Sequence, residues 1–271
     1  KNASYMLMIA ALLASSESRL LNFSRISDVE TVASVIESLG GGIRRAGERA
    51  LFIAPQTLTK SELPAEVGAQ GRFSTLFIPV LLARFGHALV PQPGGDKIGA
   101  RPLERHFDGL LKLGARIEQR GDMIEANSEK LRGTTYRFEK NTHTGTETLI
   151  LAATMAEGTT ILENAAEEPE VDDLINFINE MGGRIRRRPG RIIEIQGVAS
   201  LHGAIHQIMP DRNEAVSYGC AALVTKGDIV IENANAGHLE AFIDKVREIG
   251  GGYEVGQYGT RFFYKGPLTA T

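Results

Sequence analysis

The chain has 271 residues, 42% of them hydrophobic and 23% charged, with a formal net charge of −3. That length allows one large domain or two, and the charge argues against general nucleic-acid affinity, which depends on neutralising many phosphates. No apolar run reaches the roughly 18 residues needed to span a bilayer. The single cysteine, Cys220, excludes an internal disulfide and fits a reducing cytoplasm.

In chain order, the uncharged opening 2–16 reads as a buried helix with no cleavage-type signal after it. The first residue is Lys1 rather than Met, so the natural start is expected to be missing. An amphipathic helix follows, with Val29, Ala33, Ile36 and Leu39 on one face and Gly40 as its stop. Gly42-Ile43-Arg44 and Ala50-Leu51-Phe52-Ile53-Ala54 then read as a hairpin. The same order returns roughly every seventy residues. Segments 5–14, 75–83, 149–155 and 216–224 are apolar on nearly all sides, as buried helices are. Cys220 lies in the last of these, in the run 218–223, and reads as a core residue. Strands are expected at Thr159-Thr160-Ile161-Leu162 and Asp228-Ile229-Val230-Ile231.

The later amphipathic helices carry Leu103, Phe107, Leu110 and Leu113, then Val171, Ile175, Ile178 and Met181, then Leu239, Ile243, Val246 and Ile249. Each set has the steps of four, three and three that place it on one helix face, and each is followed by a glycine: Gly114, Gly182 and Gly250. The glycine serves as a left-handed C-cap. The third copy continues into Arg184-Ile185-Arg186, a Pro189-Gly190 turn and Ile192-Ile193-Glu194-Ile195. Its arginines, Arg184, Arg186, Arg187, Arg188 and Arg191, form the one basic cluster and read as a solvated turn. The fold class is therefore α/β, built from inside-out repeats of buried helices with sheets outside them. Four such repeats are present, and the fourth ends the chain.

Several motifs add a resemblance. Pro93-Gly94-Gly95-Asp96-Lys97-Ile98-Gly99-Ala100-Arg101-Pro102 resembles the catalytic loop of the enolpyruvyl transferases, in the branch that acts on UDP-N-acetylglucosamine. Lys1-Asn2-Ala3 resembles that branch's phosphoenolpyruvate-binding lysine and asparagine, where the sister enzyme of the shikimate pathway has lysine and serine. Further matches are Ala156-Glu157-Gly158-Thr159-Thr160, Glu163-Asn164-Ala165-Ala166, Glu168-Pro169-Glu170 and Pro210-Asp211-Arg212. The resemblance covers essentially the whole chain. It implies the enolpyruvyl transferase fold of two domains with three repeats each, so four of an expected six are here. Residues 1–210 would be the first domain and 211–271 part of the second, with the remainder of the second domain missing.

The chemistry so implied is transfer of the enolpyruvyl group of phosphoenolpyruvate to the 3-hydroxyl of UDP-N-acetylglucosamine, with release of phosphate. This is the first committed step of peptidoglycan synthesis. The two substrates are the expected partners, in the cytoplasm, with no nucleic acid, membrane, cofactor or metal. Lys1, Arg72 and Arg101 are the candidate cations for the phosphate and carboxylate of phosphoenolpyruvate, a task to which paired arginine contacts are suited. Asp96 stands where many relatives carry a cysteine, the proposed proton donor to the methylene carbon. A carboxyl group can act so only if its pKa rises from about 3.9 through burial or nearby negative charge; otherwise Asp96 is a turn residue after two glycines.

Nucleotide contacts carry over to Arg101, Pro102, Leu103, Glu104 and Arg105, and to Lys140, Asn141, Thr142 and His143. Glutamate replaces the usual aspartate at 104, Arg105 replaces an apolar residue, and Thr142-His143-Thr144 departs from the more usual Ser-Val-Gly. Glu168, Asp211 and Arg212 carry over as substrate-positioning residues near the domain junction, with helix capping and a hinge salt bridge as the alternative. Two other functions stay open: the shikimate-pathway transferase, and a sugar-nucleotide-binding module without chemistry.

Overall fold

The structure is a computed structural model and describes residues 2–71, 73–94 and 103–270. It divides into a larger body, 1–208, and a smaller one, 209–271. The first repeat comprises α1 (Asn2–Ala10), β1 (Ser18–Leu21), α2 (Ser27–Ser38), β2 (Gly42–Ala46) and β3 (Ala50–Ala54). The second has α3 (Phe77–Phe85), β4 (His87–Pro91), α4 (Glu104–Lys112), β5 (Arg116–Arg120) and β6 (Met123–Asn127), followed by the short β7 (Thr135–Arg137). The third has α5 (His143–Thr154), β8 (Thr159–Glu163), α6 (Pro169–Glu180), β9 (Ile185–Arg188) and β10 (Ile192–Gln196), then the short β11 (Ile205–Gln207). The smaller body holds α7 (Arg212–Val224), β12 (Asp228–Glu232), α8 (Glu240–Glu248), β13 (Gly252–Gly256) and β14 (Gly259–Phe263).

The inside-out expectation holds in the larger body. Met6, Leu7, Met8 and Ile9 of α1, Phe77, Ile78, Val80 and Leu81 of α3, and the stretch 149–153 of α5 are buried. Burying a large apolar side chain contributes about 1.5–3 kcal/mol, and a helix apolar all round gains it fully only when surrounded. All four amphipathic helices end on a glycine with positive φ, from +85° at Gly250 to +99° at Gly114. Residues with a Cβ rarely adopt that conformation, which explains the recurring glycine.

Each repeat contributes a hairpin to an antiparallel ladder, giving the orders β11-β1-β3-β2, β4-β6-β5, β7-β8-β10-β9 and β12-β14-β13. What the sequence reading did not anticipate is how three of these sheets are linked. After the first repeat the chain makes a parallel bridge to the second sheet, Glu62 to Leu89. After the second, β7 pairs parallel with β8 of the third, Tyr136 opposite Leu162. After the third, β11 returns to pair parallel with β1, His206 opposite Leu20. The three repeats thus close into a ring, and the larger body ends at the point of closure.

Two glycines permit the close approach. A Cβ on Gly203, just before β11, would lie 1.9 Å from the carbonyl oxygen of Glu17, and one on Gly133, just before β7, 2.3 Å from that of Thr159. Both obstacles are backbone, which cannot swing aside as a side chain can. Gly203→Ala is therefore expected to destabilise the larger body by about 1–3 kcal/mol, the usual cost of overpacking. That corresponds to a melting temperature lower by roughly 2–12 °C, measurable by calorimetry.

Two expectations are corrected. In the second repeat, Leu110 and Leu113 are buried but Leu103 and Phe107 are only half-buried, unlike their buried counterparts Val29, Ala33, Val171, Ile175, Leu239 and Ile243. They face a cavity of about 510 Å³ between α4 and the β4–β6 sheet, which Ile117 and Ile124 also line. The second correction concerns α7 and Cys220. Cys220 is exposed, not in the core, as are Tyr218 and Val224 on the same helix. Within the smaller body α7 has only its own sheet and α8 to pack on, so it buries Ala215, Gly219, Ala222 and Leu223 and leaves another face open.

Candidate active site

Three helix N-termini in the larger body meet through side chains that the ring places side by side. On α4, Nε2 of His106 lies 2.9 Å from Oγ1 of Thr144 at the start of α5. The amide of Ala166, shortly before α6, donates to Oγ1 of Thr146 on α5 at 3.0 Å. On β7, Tyr136 donates its hydroxyl to the Arg105 carbonyl in the first turn of α4, at 3.4 Å. Burial, reinforced by the Asp108 carboxylate, pushes that phenol up to about 12, so it remains a donor at any physiological pH. Segments 103–105, 140–143 and 168, far apart in sequence, are in this way drawn to neighbouring helix ends.

The local sequence explains each terminus. Thr142 is the N-cap of α5, its hydroxyl accepting the Gly145 amide at 3.3 Å, and Pro169 occupies the first turn of α6, where a missing N–H costs nothing. No side chain caps α4 at Leu103 or α6 at Glu168. Helix N-termini carry partial positive charge and outward-facing amides, so their convergence suits an anionic ligand. Lys140 and Asn141 are exposed just before α5, Glu104 is exposed on α4, and Arg105, Thr142, His143 and Glu168 are half-buried.

The sequence reading missed Glu147. Its side chain is almost fully enclosed, and its Oε1 lies 3.1 Å from Nε2 of His143, one helical turn earlier. Burial raises the Glu147 pKa, opposed by His143 and assisted by Glu170 and Glu168. For His143, burial works to lower the pKa, but the hydrogen bond and charge of Glu147, with Glu168 and Glu170 beyond, outweigh it and hold it above the ordinary histidine value. The visible signal was a lone carboxylate at i+4 from a histidine. It was passed over because the apolar segment was read from 149, whereas α5 begins at His143.

Other expected residues lie elsewhere. Asn2 opens α1 and is half-buried. Asp211 is the N-cap of α7, accepting the Asn213 and Glu214 amides at 2.8 and 3.2 Å, and Arg212 is the first residue of that helix. Lys1, Arg72, Asp96, Arg101 and Pro102 fall outside the described residues. The arginine hairpin is paired rather than simply solvated. Arg186 and Arg188 hold Glu194, Arg191 lies 2.8 Å from Glu167, and half-buried Arg187 reaches Asp172 at 2.6 Å and the Ala166 carbonyl at 2.9 Å. Among the described residues no cluster of His, Cys, Asp and Glu could hold a metal, and no helix is long and apolar enough to cross a membrane.

This ring of inside-out repeats with gathered helix ends is the fold of the enolpyruvyl transferases. The chain superposes with TM-score 0.86 on the enolpyruvyl transferase NikO from Streptomyces tendae, at 20% identity, over 98% of this chain and 64% of that one. It superposes with TM-score 0.77 on EPSP synthase from Acinetobacter baumannii, at 19% identity, over 100% and 64%. The family model for EPSP synthase (3-phosphoshikimate 1-carboxyvinyltransferase) matches residues 1–267, and the chain belongs to that family. Within it, the chain is 40% identical to UDP-N-acetylglucosamine 1-carboxyvinyltransferase 1 of Staphylococcus aureus, over 99% of this chain and 64% of the relative. It is 42% identical to the UDP-N-acetylglucosamine 1-carboxyvinyltransferase of Trichlorobacter lovleyi, over 92% and 60%. The chain thus spans somewhat less than two thirds of the length of these relatives.

Proposed function

We propose that this chain carries the first domain and part of the second of an enzyme that transfers the enolpyruvyl group of phosphoenolpyruvate to the 3-hydroxyl of UDP-N-acetylglucosamine, releasing phosphate. Residues 1–210 form the first domain in this reading and 211–271 the incomplete second. The observation that carries it is 40% identity across 99% of the chain to a relative of that name, and the resemblance of the loop Pro93 to Pro102 to the catalytic loop of that branch agrees with it. Lys1, Arg72 and Arg101 hold the phosphate and carboxylate of phosphoenolpyruvate, with Asn2 beside them. Asp96 gives a proton to the methylene carbon as the sugar hydroxyl adds to the neighbouring carbon, forming a tetrahedral intermediate. Elimination then breaks the bond between that carbon and the phosphate oxygen, the Asp96 carboxylate takes back a proton from the new methyl group to restore the double bond, and the hydroxyl proton leaves to solvent with the released phosphate. Leu103, Glu104 and Arg105 with Lys140, Asn141, Thr142 and His143 bind the nucleotide, and Glu168, Asp211 and Arg212 position the substrate. The setting is cytoplasmic, and neither nucleic acid nor a membrane is a partner.

The test is phosphate release from phosphoenolpyruvate by this chain with UDP-N-acetylglucosamine or shikimate 3-phosphate as acceptor. Release that requires the UDP-sugar is the expected result. Release with shikimate 3-phosphate alone would move the chain to the other branch of the family. Saturable UDP-sugar binding without release would point to an incomplete active site in this chain or to a binding module.

A further inference from the structure

We infer that a polar cavity at the start of β4 binds a compact oxyanion, inorganic phosphate or the phosphate group of a small metabolite. The cavity has a volume of about 560 Å³ and is lined by Arg84 and Phe85 at the end of α3, Arg116 at the start of β5, and Asn127, Ser128 and Glu129 at the end of β6. The loop from Pro93 follows the other end of β4, and a strand as long as His87–Pro91 advances about 13 Å. The cavity is therefore distinct from the candidate active site, and the inference does not depend on the proposed function.

Its cations are the first argument. Arg84 donates to three main-chain carbonyls, from Nη1 to Leu12 and Ala14 at 3.0 and 2.9 Å and from Nη2 to Pro55 at 3.1 Å. Those bonds tie α3 to the first repeat but bring no full negative charge. Neither Arg84 nor exposed Arg116 has a carboxylate partner among the described residues. Ser128 is the second argument. It is 7% exposed, and its Oγ meets no hydrogen-bond partner among the described residues. An enclosed hydroxyl left unpaired is costly, and an anion oxygen supplies the acceptor it lacks.

The third repeat completes the same junction from within. Gly158 precedes β8 with a φ of +88°, as Gly86 precedes β4 at +69°, so Glu157 and Phe85 hold equivalent positions. The Glu157 carboxylate pairs with Lys130 and lies 3.9 Å from Arg132. In the second repeat that place belongs to Phe85, 38% exposed, which brings no charge to the two arginines. Exposed Glu129 and the carbonyl end of α3 oppose an anion, but two guanidiniums outweigh them. Arginine forks match the oxygens of phosphate in pairs, which favours a compact anion of several oxygens over a halide.

The experiment is a titration of the whole chain with inorganic phosphate at constant ionic strength, followed through backbone amide signals by NMR, for wild type, Arg116→Gln and Phe85→Glu. Both variants change exposed side chains, and the second installs the carboxylate that the third repeat carries. The expected result is a saturable shift of the Gly86 and Ser128 amides, with affinity about tenfold weaker or worse in each variant. Phosphate held in the candidate active site would instead move amides near Asn2 and persist in both variants, so the two sites are read separately. A shift at Gly86 and Ser128 that does not saturate, that chloride reproduces at the same ionic strength, or that either variant retains at wild-type affinity would overturn the inference and leave the proposed function untouched.

Discussion

Replacing Asp96 by alanine is expected to lower UDP-N-acetylglucosamine-dependent phosphate release by about 10²–10⁴-fold, the usual contribution of a positioned general acid. The methylene carbon of phosphoenolpyruvate is a weak base, and its protonation must accompany attack at the neighbouring carbon. In the proposed mechanism Asp96 serves only while its carboxyl keeps a proton, and the phosphate and carboxylate of bound phosphoenolpyruvate would act to raise its pKa, with Lys97 opposing them. The rate should therefore fall as pH rises, and a stopped assay across pH 5–9 measures it. The same residue predicts resistance to fosfomycin, because a carboxylate lacks the nucleophilicity of the thiolate that the drug alkylates. Asp96→Cys should make the protein sensitive, with one adduct visible by mass spectrometry. A covalent adduct on Asp96 itself would contradict this account of the loop.

Removing His206 should produce the largest loss of stability. The imidazole, only 6% exposed, lies on β11 between two carboxylates of α6, with Nε2 3.1 Å from Asp173 and Nδ1 2.8 Å from Glu180, and its ring 5.3 Å from that of Phe177. Burial acts to lower its pKa, but the hydrogen bonds and charges of Asp173 and Glu180 prevail and raise it. Breaking a buried charge pair costs about 3–5 kcal/mol, and His206→Gln should lie near 3 because Glu180 stays half in water.

The sign of the pH dependence follows from the raised folded pKa. The unfolded histidine titrates near 6.5, so the stabilisation is complete below that value and disappears as pH rises through the higher folded value. The gap in melting temperature between wild type and His206→Gln should therefore narrow from pH 6 towards pH 9. A gap that stays constant would show that His206 acts by packing alone.

Much of the architecture was legible because its signals are local. Four glycines mark four helix ends, since each adopts a backbone conformation that few other residues tolerate. The apolar stripe of α6, Val171 to Met181, is buried as its spacing predicts. The linking strands were not legible. β11 is Ile205-His206-Gln207, and it exposes the isoleucine at 66% while burying the histidine, the reverse of what polarity suggests. Only the carboxylates of α6, brought in by tertiary structure, make that reversal favourable. Motifs single out Leu103 to Arg105 and Lys140 to His143, and the structure places both segments at helix starts. Glu147 was hidden because a buried charge is explained by its partner rather than by its neighbours in sequence.

The return of β11 to β1 also sets the order in which the chain can mature. Ala204 and Ser18 are 186 positions apart, yet they are hydrogen-bonded, so the first sheet stays incomplete until almost the whole larger body has been synthesised. Contacts this distant in sequence demand loop closure before they give any stabilisation, and they slow folding. On the ribosome the hairpin β2–β3 can form early. β1, however, keeps an unpaired edge until residues 205–207 emerge, which leaves the nascent protein open to strand-mediated aggregation and chaperone capture until the last segment of the larger body arrives.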